Sequence, residues 1–149
     1  MIYLDNNGTS LMPQIVIDTI NKWFNVGNAS AGYDSAKNAK AMIERARTYI
    51  DNIFGLNNEF YIIFNSGASE GNCDILTSVS RAYGREKGVT PHFIISSVEH
   101  KSLMQCALNL EMDKMIELTI LEASVAPIDP RLLDKSIKHN TALISIMMA

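Results

Sequence analysis

Phe60–Asp74, FYIIFNSGASEGNCD, is the stretch that most constrains how this chain can fold. Phe60–Phe64 is a short apolar run of aromatic and β-branched residues. It stops at Asn65-Ser66-Gly67-Ala68-Ser69, all small or turn-forming, and so predicts a strand entering a tight turn. Ile75, Leu76 and Val79 follow at helical spacing, so the turn opens a helix near Glu70. A strand, a small-residue turn and a helix N-terminus together form an anion site. Free backbone N–H groups point out of the first helical turn, and the macrodipole adds partial positive charge there. On these residues alone, a phosphorylated ligand and an empty capped turn satisfy the pattern equally.

The segments around this unit repeat its rhythm. Upstream, Asp5-Asn6-Asn7-Gly8-Thr9-Ser10 is a polar loop, and Ser10 is expected to cap a helix with Pro13 in its first turn and Met12, Val16, Ile20, Trp23 and Phe24 on its apolar face. A second small-residue loop, Asn28–Tyr33, leads to a long helix capped by Asp34 or Ser35, with Ala36, Ala39, Ile43, Ala46, Ile50 and Ile53 on one face and Gly55 as its stop. Lys37, Lys40, Glu44, Arg45 and Arg47 form its solvated face. Downstream, Phe93–Ile95 is a buried-type strand with Ser96–His100 as its trailing loop, and Leu103, Cys106, Ala107 and Leu110 mark a helix. Ile116–Leu121 predicts a further strand. Pro127 breaks the chain, Asp129-Pro130 caps a short helix, and Ala142–Met147 is a last strand.

Strands alternating with helices of this length predict an α/β fold with a mostly parallel sheet, right-handed crossovers and flanking helices. With 149 residues and 47% hydrophobic content, one core is expected, folding at this size burying about 68–70% of the unfolded surface. Ligands of such sheets bind at the carboxyl ends of the strands, so Asn65–Glu70 and Ser96–His100 are the candidate loops. Lys+Arg is 13 against 16 Asp+Glu, with no basic run, which argues against a nucleic-acid partner. The two cysteines, Cys73 and Cys106, have neither metal-ligand nor disulfide-framework spacing. With no basic leader and no long apolar run, the expectation is a cytoplasmic protein with no membrane segment.

The residues also carry a resemblance. Tyr3-Leu4-Asp5-Asn6-Asn7-Gly8-Thr9 resembles the opening YLDNNATT of cysteine desulfurases of the NifS type, in the class V branch of the pyridoxal-phosphate aminotransferases. Gly27-Asn28-Ala29-Ser30 is similar to their GNPSS loop, Phe64–Glu70 to their FTSGATE segment, Glu99-His100-Lys101-Ser102 to their EHKS, and Leu143–Met147 to the strand before their Asn-Asn-Glu motif. These matches run in the right order along nearly the whole chain.

The resemblance implies the N-terminal half of a fold-type I large domain, as a single incomplete domain with residues 1–34 carrying active-site loops and 35–149 part of the cofactor-binding α/β region. It implies that Gly67, Ala68 and Ser69 bind the phosphate of pyridoxal 5'-phosphate, Ser69 keeping the hydroxyl of the family's threonine. It implies that His100 stacks on the cofactor ring and assists proton transfer, imidazole being the side chain that exchanges protons near neutral pH. Asn6, Asn7 and Asn28 fall in its substrate loops, where Gly8 and Tyr33 replace the usual alanine and histidine. The implied reaction converts cysteine to alanine with transfer of sulfur, in a homodimer that hands the sulfur to an acceptor protein. The lysine that holds the cofactor, the aspartate facing its ring nitrogen and the sulfur-accepting cysteine have no counterpart in these 149 residues. Lys101 is not that lysine, and Cys73 and Cys106 read as small buried hydrophobes in helices. The chain alone is therefore expected to be inactive. A selenocysteine lyase, a small aminotransferase and a non-catalytic interaction protein are the alternatives.

Overall fold

The computed structural model describes residues 2–6, 8–57, 59–123 and 128–148. It divides into two compact units, Met1–Ile63 and Phe64–Ala149. The first contains helices α1 (Gln14–Trp23) and α2 (Asp34–Phe54). Neither begins with the expected cap. Pro13 holds the N-cap position of α1 with an extended ψ of 146°, and the residue before a proline is pushed out of the helical region, so the helix cannot reach back to Ser10. Tyr33 holds the N-cap position of α2, and Asp34, the first helical residue, pairs with Lys37 at 3.0 Å instead of capping. Gly55 does stop α2, at φ 62°, with its N–H bonded to Asp51 O.

The second unit carries α3 (Ala68–Lys87), β1 (His92–Ser96), α4 (Lys101–Met112), β2 (Glu117–Leu121), α5 (Pro130–Ser136) and β3 (Thr141–Ser145). The three strands form a parallel sheet in the order β2-β1-β3, flanked by helices as expected. Parallel neighbours need crossover connections, which α4 and α5 supply. Every residue of the central β1 is buried. Phe93 and Ile95 point to the face covered by α3 and α4, where they join Leu76, Leu103, Ala107, Leu110 and Ile116 in one core. The register places Phe93 against Leu118 and Leu143, and Ile95 against Ile120 and Ser145. Asp129 caps α5 by accepting from Arg131 N–H at 2.9 Å, as its position before Pro130 predicts. Pro127, the expected breaker, lies outside the described residues.

One predicted strand does not form. Phe60–Phe64 is irregular, with Tyr61 98% and Ile63 80% exposed, and no strand lies beside it among the described residues. An apolar β-prone run becomes a strand only when a neighbouring strand takes up its N–H and C=O groups, and among the described residues no strand pairs with this one. The turn and helix that follow it form without it.

Candidate functional site

The turn before α3 is built from its own side chains. Gly67 stands at φ 150°, ψ 177°, a region occupied essentially by glycine alone, and it redirects the chain into the helix. Asn65 Oδ1 accepts from Gly67 N–H at 3.1 Å. Its amide then lies where a Cβ on Gly71 would be, 2.8 Å away, so glycine at position 71 lets Asn65 close the turn. Glu70 reaches back to accept from Ser66 N–H, a variant of the capping box. Hydrogen bonds from Ser66, first its hydroxyl and then its N–H, hold the Glu70 carboxyl below the usual carboxylate range.

These bonds satisfy Ser66 and Gly67 and leave the next residues open. The first helical bond runs from Gly71 N–H to Gly67 O at 3.1 Å, and the N–H groups of Ala68, Ser69 and Glu70 have no protein acceptor among the described residues. Gly67, Ala68 and Ser69 are all exposed. Three convergent donors, one nearby hydroxyl and the positive end of a long helix make an anion cradle.

The loop between β1 and α4 is stitched to both neighbouring strands. Ser97 Oγ donates to Glu122 Oε1 at 2.9 Å and accepts from Ala123 N–H, beyond the end of β2. Glu99 Oε1 accepts from Ser96 Oγ at 3.3 Å and from Ser145 Oγ at 3.0 Å, which ties the loop to the end of β3. His100 then takes the N-cap position of α4, its Nδ1 accepting from Ser102 N–H at 3.2 Å and lying 2.8 Å from Ser102 Oγ. Ser102 Oγ in turn accepts from Asn72 Nδ2 at 3.1 Å.

Asn72 sits one helical turn past Ala68, so this contact joins His100 to the helix whose N-terminus forms the cradle. The predicted residues Gly67, Ala68, Ser69 and His100 belong to one compact unit, and the bonds of Ser102 to His100 and Asn72 link the two helix starts across the α3–α4 contact. Asn6 and Asn28 belong to the other unit. Asn6 is exposed in a turn, while Asn28 accepts from Ser30 N–H at 2.9 Å and donates its own N–H to the Tyr33 hydroxyl at 3.0 Å. That hydroxyl fills the space where a Cβ on Gly27 would be. Asn7 lies outside the described residues.

Cys73 and Cys106 are half-buried, and Cys73 Sγ lies 3.9 Å from Ser102 O. Burial and then the neighbouring Cys73 thiol push Cys106 up to about 11, which keeps it a thiol and a poor nucleophile. Sequence reading placed Asn65 and Glu99 in the candidate loops without their bonding roles, and missed Asn72 and Ser102 as supports of the site. Ser102, two residues past His100 at a helix start, carried a local signal of capping. Asn72 carried none, because its partner is far along the chain.

The family model described as aminotransferase class-V matches residues 2–149. The chain is 32% identical to a selenocysteine lyase of Xenopus tropicalis over 99% of its own length and 37% of the relative's. It is also 32% identical to the cysteine desulfurase IscS of Methanosarcina thermophila, covering 99% of this chain and 36% of that protein. It thus spans little more than a third of these relatives. The fold matches that of a NifS-like protein of known structure with a TM-score of 0.80 at 22% identity, over 97% of this chain and 39% of that one. The match of the family model to residues 2–149 shows that the chain belongs to the class-V aminotransferase family.

Proposed function

We propose that this chain supplies the phosphate anchor and the ring-contacting histidine of a pyridoxal-phosphate enzyme acting on cysteine or a close analogue. The observation that carries this reading is the set of N–H groups at Ala68, Ser69 and Glu70 with no acceptor among the described residues, beside the exposed Ser69. These donors fit a phosphate dianion, which is compact and accepts several hydrogen bonds at once. Ala68 and Ser69 N–H with Ser69 Oγ would hold it, and Gly67 brings the backbone round so that they converge. Glu70, in the same first turn, is engaged by Ser66 N–H.

His100, held at the start of α4, would lie against the cofactor ring. When bound, pyridoxal phosphate supplies an electron-withdrawing ring that stabilises charge on the substrate carbon. The chain's own residues bind, orient and offer hydrogen bonds. The lysine, aspartate and cysteine of the reaction must come from outside these 149 residues, so the chain by itself is expected to release neither sulfide nor alanine from cysteine. For the whole protein we extend the reading to a homodimer, with a sulfur-acceptor protein as partner and a cytoplasmic setting. The similarity to selenocysteine lyases supports a second reading in which selenocysteine is the substrate.

The test is titration of the chain with pyridoxal phosphate and with inorganic phosphate, followed at backbone amides. The expected result is that Ala68, Ser69 and Glu70 amides respond first and that Ser69→Ala weakens binding about two- to tenfold, the worth of one hydrogen bond. Unmoved amides at these positions, or binding indifferent to Ser69→Ala, would sink the reading.

A further inference from the structure

The ring of His100 is held by more than its own cap position. Its Nδ1 lies 3.2 Å from Ser102 N, and a backbone N–H can only donate. Nδ1 must therefore be the unprotonated, accepting nitrogen. The second contact agrees with the first. Asn72 Nδ2 donates to Ser102 Oγ at 3.1 Å, filling an acceptor position of that hydroxyl and turning its own hydrogen toward Nδ1, 2.8 Å away. Ser102 and Asn72 are half-buried, whereas His100 is exposed, so the sheltered end of the chain of bonds fixes its open end.

We propose that Asn72 and Ser102 are positioning residues that lock neutral His100 as its Nε2–H tautomer, so that the ring meets its ligand as a hydrogen-bond donor through Nε2. The only basic nitrogen of that tautomer faces Ser102. A proton taken up by His100 must therefore enter at Nδ1 and break the bond from Ser102 N–H, which makes His100 poorly placed to collect a proton directly from a ligand on its open side. This assignment specifies the role of His100 and rests on the cofactor reading above for what lies beyond Nε2.

The experiment reads the ring nitrogens of His100 by long-range proton–nitrogen NMR in the full 149-residue chain without cofactor. The expected spectrum has a pyridine-type Nδ1 and a protonated, pyrrole-type Nε2. Ser102→Ala should lower the ratio of Nε2–H to Nδ1–H about fivefold, the worth of one hydrogen bond, and Ser102→Thr should restore it. Asn72→Asp should lower the ratio further, because a carboxylate takes the Ser102 hydroxyl hydrogen and leaves Oγ to accept from Nδ1–H. Asn72→Leu, which removes the donor without adding an acceptor, should have a smaller effect of about twofold. Backbone amide spectra distinguish these changes from loss of fold.

An Nδ1–H ring in the unaltered chain, or nitrogen signals indifferent to both Ser102→Ala and Asn72→Asp in folded variants, would overturn the proposal. Addition of pyridoxal phosphate separates it from the cofactor reading. Tautomer shifts in the variants with no response to pyridoxal phosphate at His100 or at the Ala68 and Ser69 amides uphold the positioning chain and defeat the cofactor reading.

Discussion

Two ends of one parallel sheet each carry a histidine with hydroxyl partners, and the two are held in different ways. At the amino end, His92 is fully buried and both ring nitrogens are engaged, Nδ1 with Thr141 Oγ1 and Nε2 with Thr119 Oγ1, each at 2.8 Å. It bridges all three strands and has no nitrogen left for a ligand. At the carboxyl end, His100 is exposed and, among the described residues, only its Nδ1 is engaged, within its own helix start. A histidine with both nitrogens bonded inside the protein serves the fold, whereas one with a free nitrogen at the mouth of a parallel sheet can serve a ligand.

Stability should separate the two most sharply. His92→Ala removes buried volume and takes the ring from the Thr119 and Thr141 hydroxyls, of which that of Thr141 keeps the Lys138 N–H, so it should cost about 2–4 kcal/mol in urea unfolding. His100→Ala removes an exposed ring and should change stability by about 0.5 kcal/mol or less. Equal losses for the two would break the distinction.

The next effect is the dependence of stability on pH. Burial, followed by the nearby Lys138 charge, pushes the folded pKa of His92 below its ordinary 6.5, with Glu117 acting in the opposite sense. Below 6.5 the unfolded chain binds a proton at this residue that the folded chain resists. His92 therefore favours folding above 6.5, and stability should fall as the pH drops below it. His92→Gln, which keeps hydrogen-bonding capacity but does not titrate, should flatten the urea midpoint in this window.

How much of this was legible in the sequence depended on how far each contact reaches. The βα rhythm, the parallel sheet, the α3 turn and the Asp129 cap follow from local patterns of apolar spacing and turn chemistry. The segment 60–64 was misread because its composition is that of a strand while strand formation is decided by a neighbour. Ser10 was misread because Pro13 overrides a nearby cap. His92 escaped notice altogether: its role depends on Thr119 and Thr141, which only the sheet register brings beside it. The same holds for Asn72, whose bond to Ser102 spans the α3–α4 contact.

At the carboxyl end, Glu70 offers a smaller test. Its carboxylate stands in the first turn of α3, beside donors that would otherwise face only an anion. Glu70→Gln keeps an acceptor for Ser66 N–H and removes the charge, so inorganic phosphate should bind about two- to fivefold more tightly, an effect that added salt weakens. No comparable gain is expected from Glu117→Gln at the amino end, which is not part of the cradle. Equal gains would mean that phosphate responds to net charge and not to this turn.

The smallest effect concerns Lys138, whose Nζ lies 2.8 Å from Glu117 Oε2 with both side chains about half exposed. An exposed ion pair contributes little at neutral pH, so Lys138→Met should shift the melting temperature by about 1 °C or less. Its trace should appear in the acid limb. The hydrogen bond and then the charge of Lys138 hold the Glu117 carboxyl below its usual range, and the same charge helps depress His92. Without Lys138 both folded pKa values move back toward their unfolded ones. The gap that drives each stability loss then narrows, for His92 below 6.5 and for Glu117 below 4.5. Lys138→Met should therefore melt almost like the unaltered chain at neutral pH yet lose less stability on acidification. An acid limb unchanged by Lys138→Met would mean that burial alone sets the state of His92.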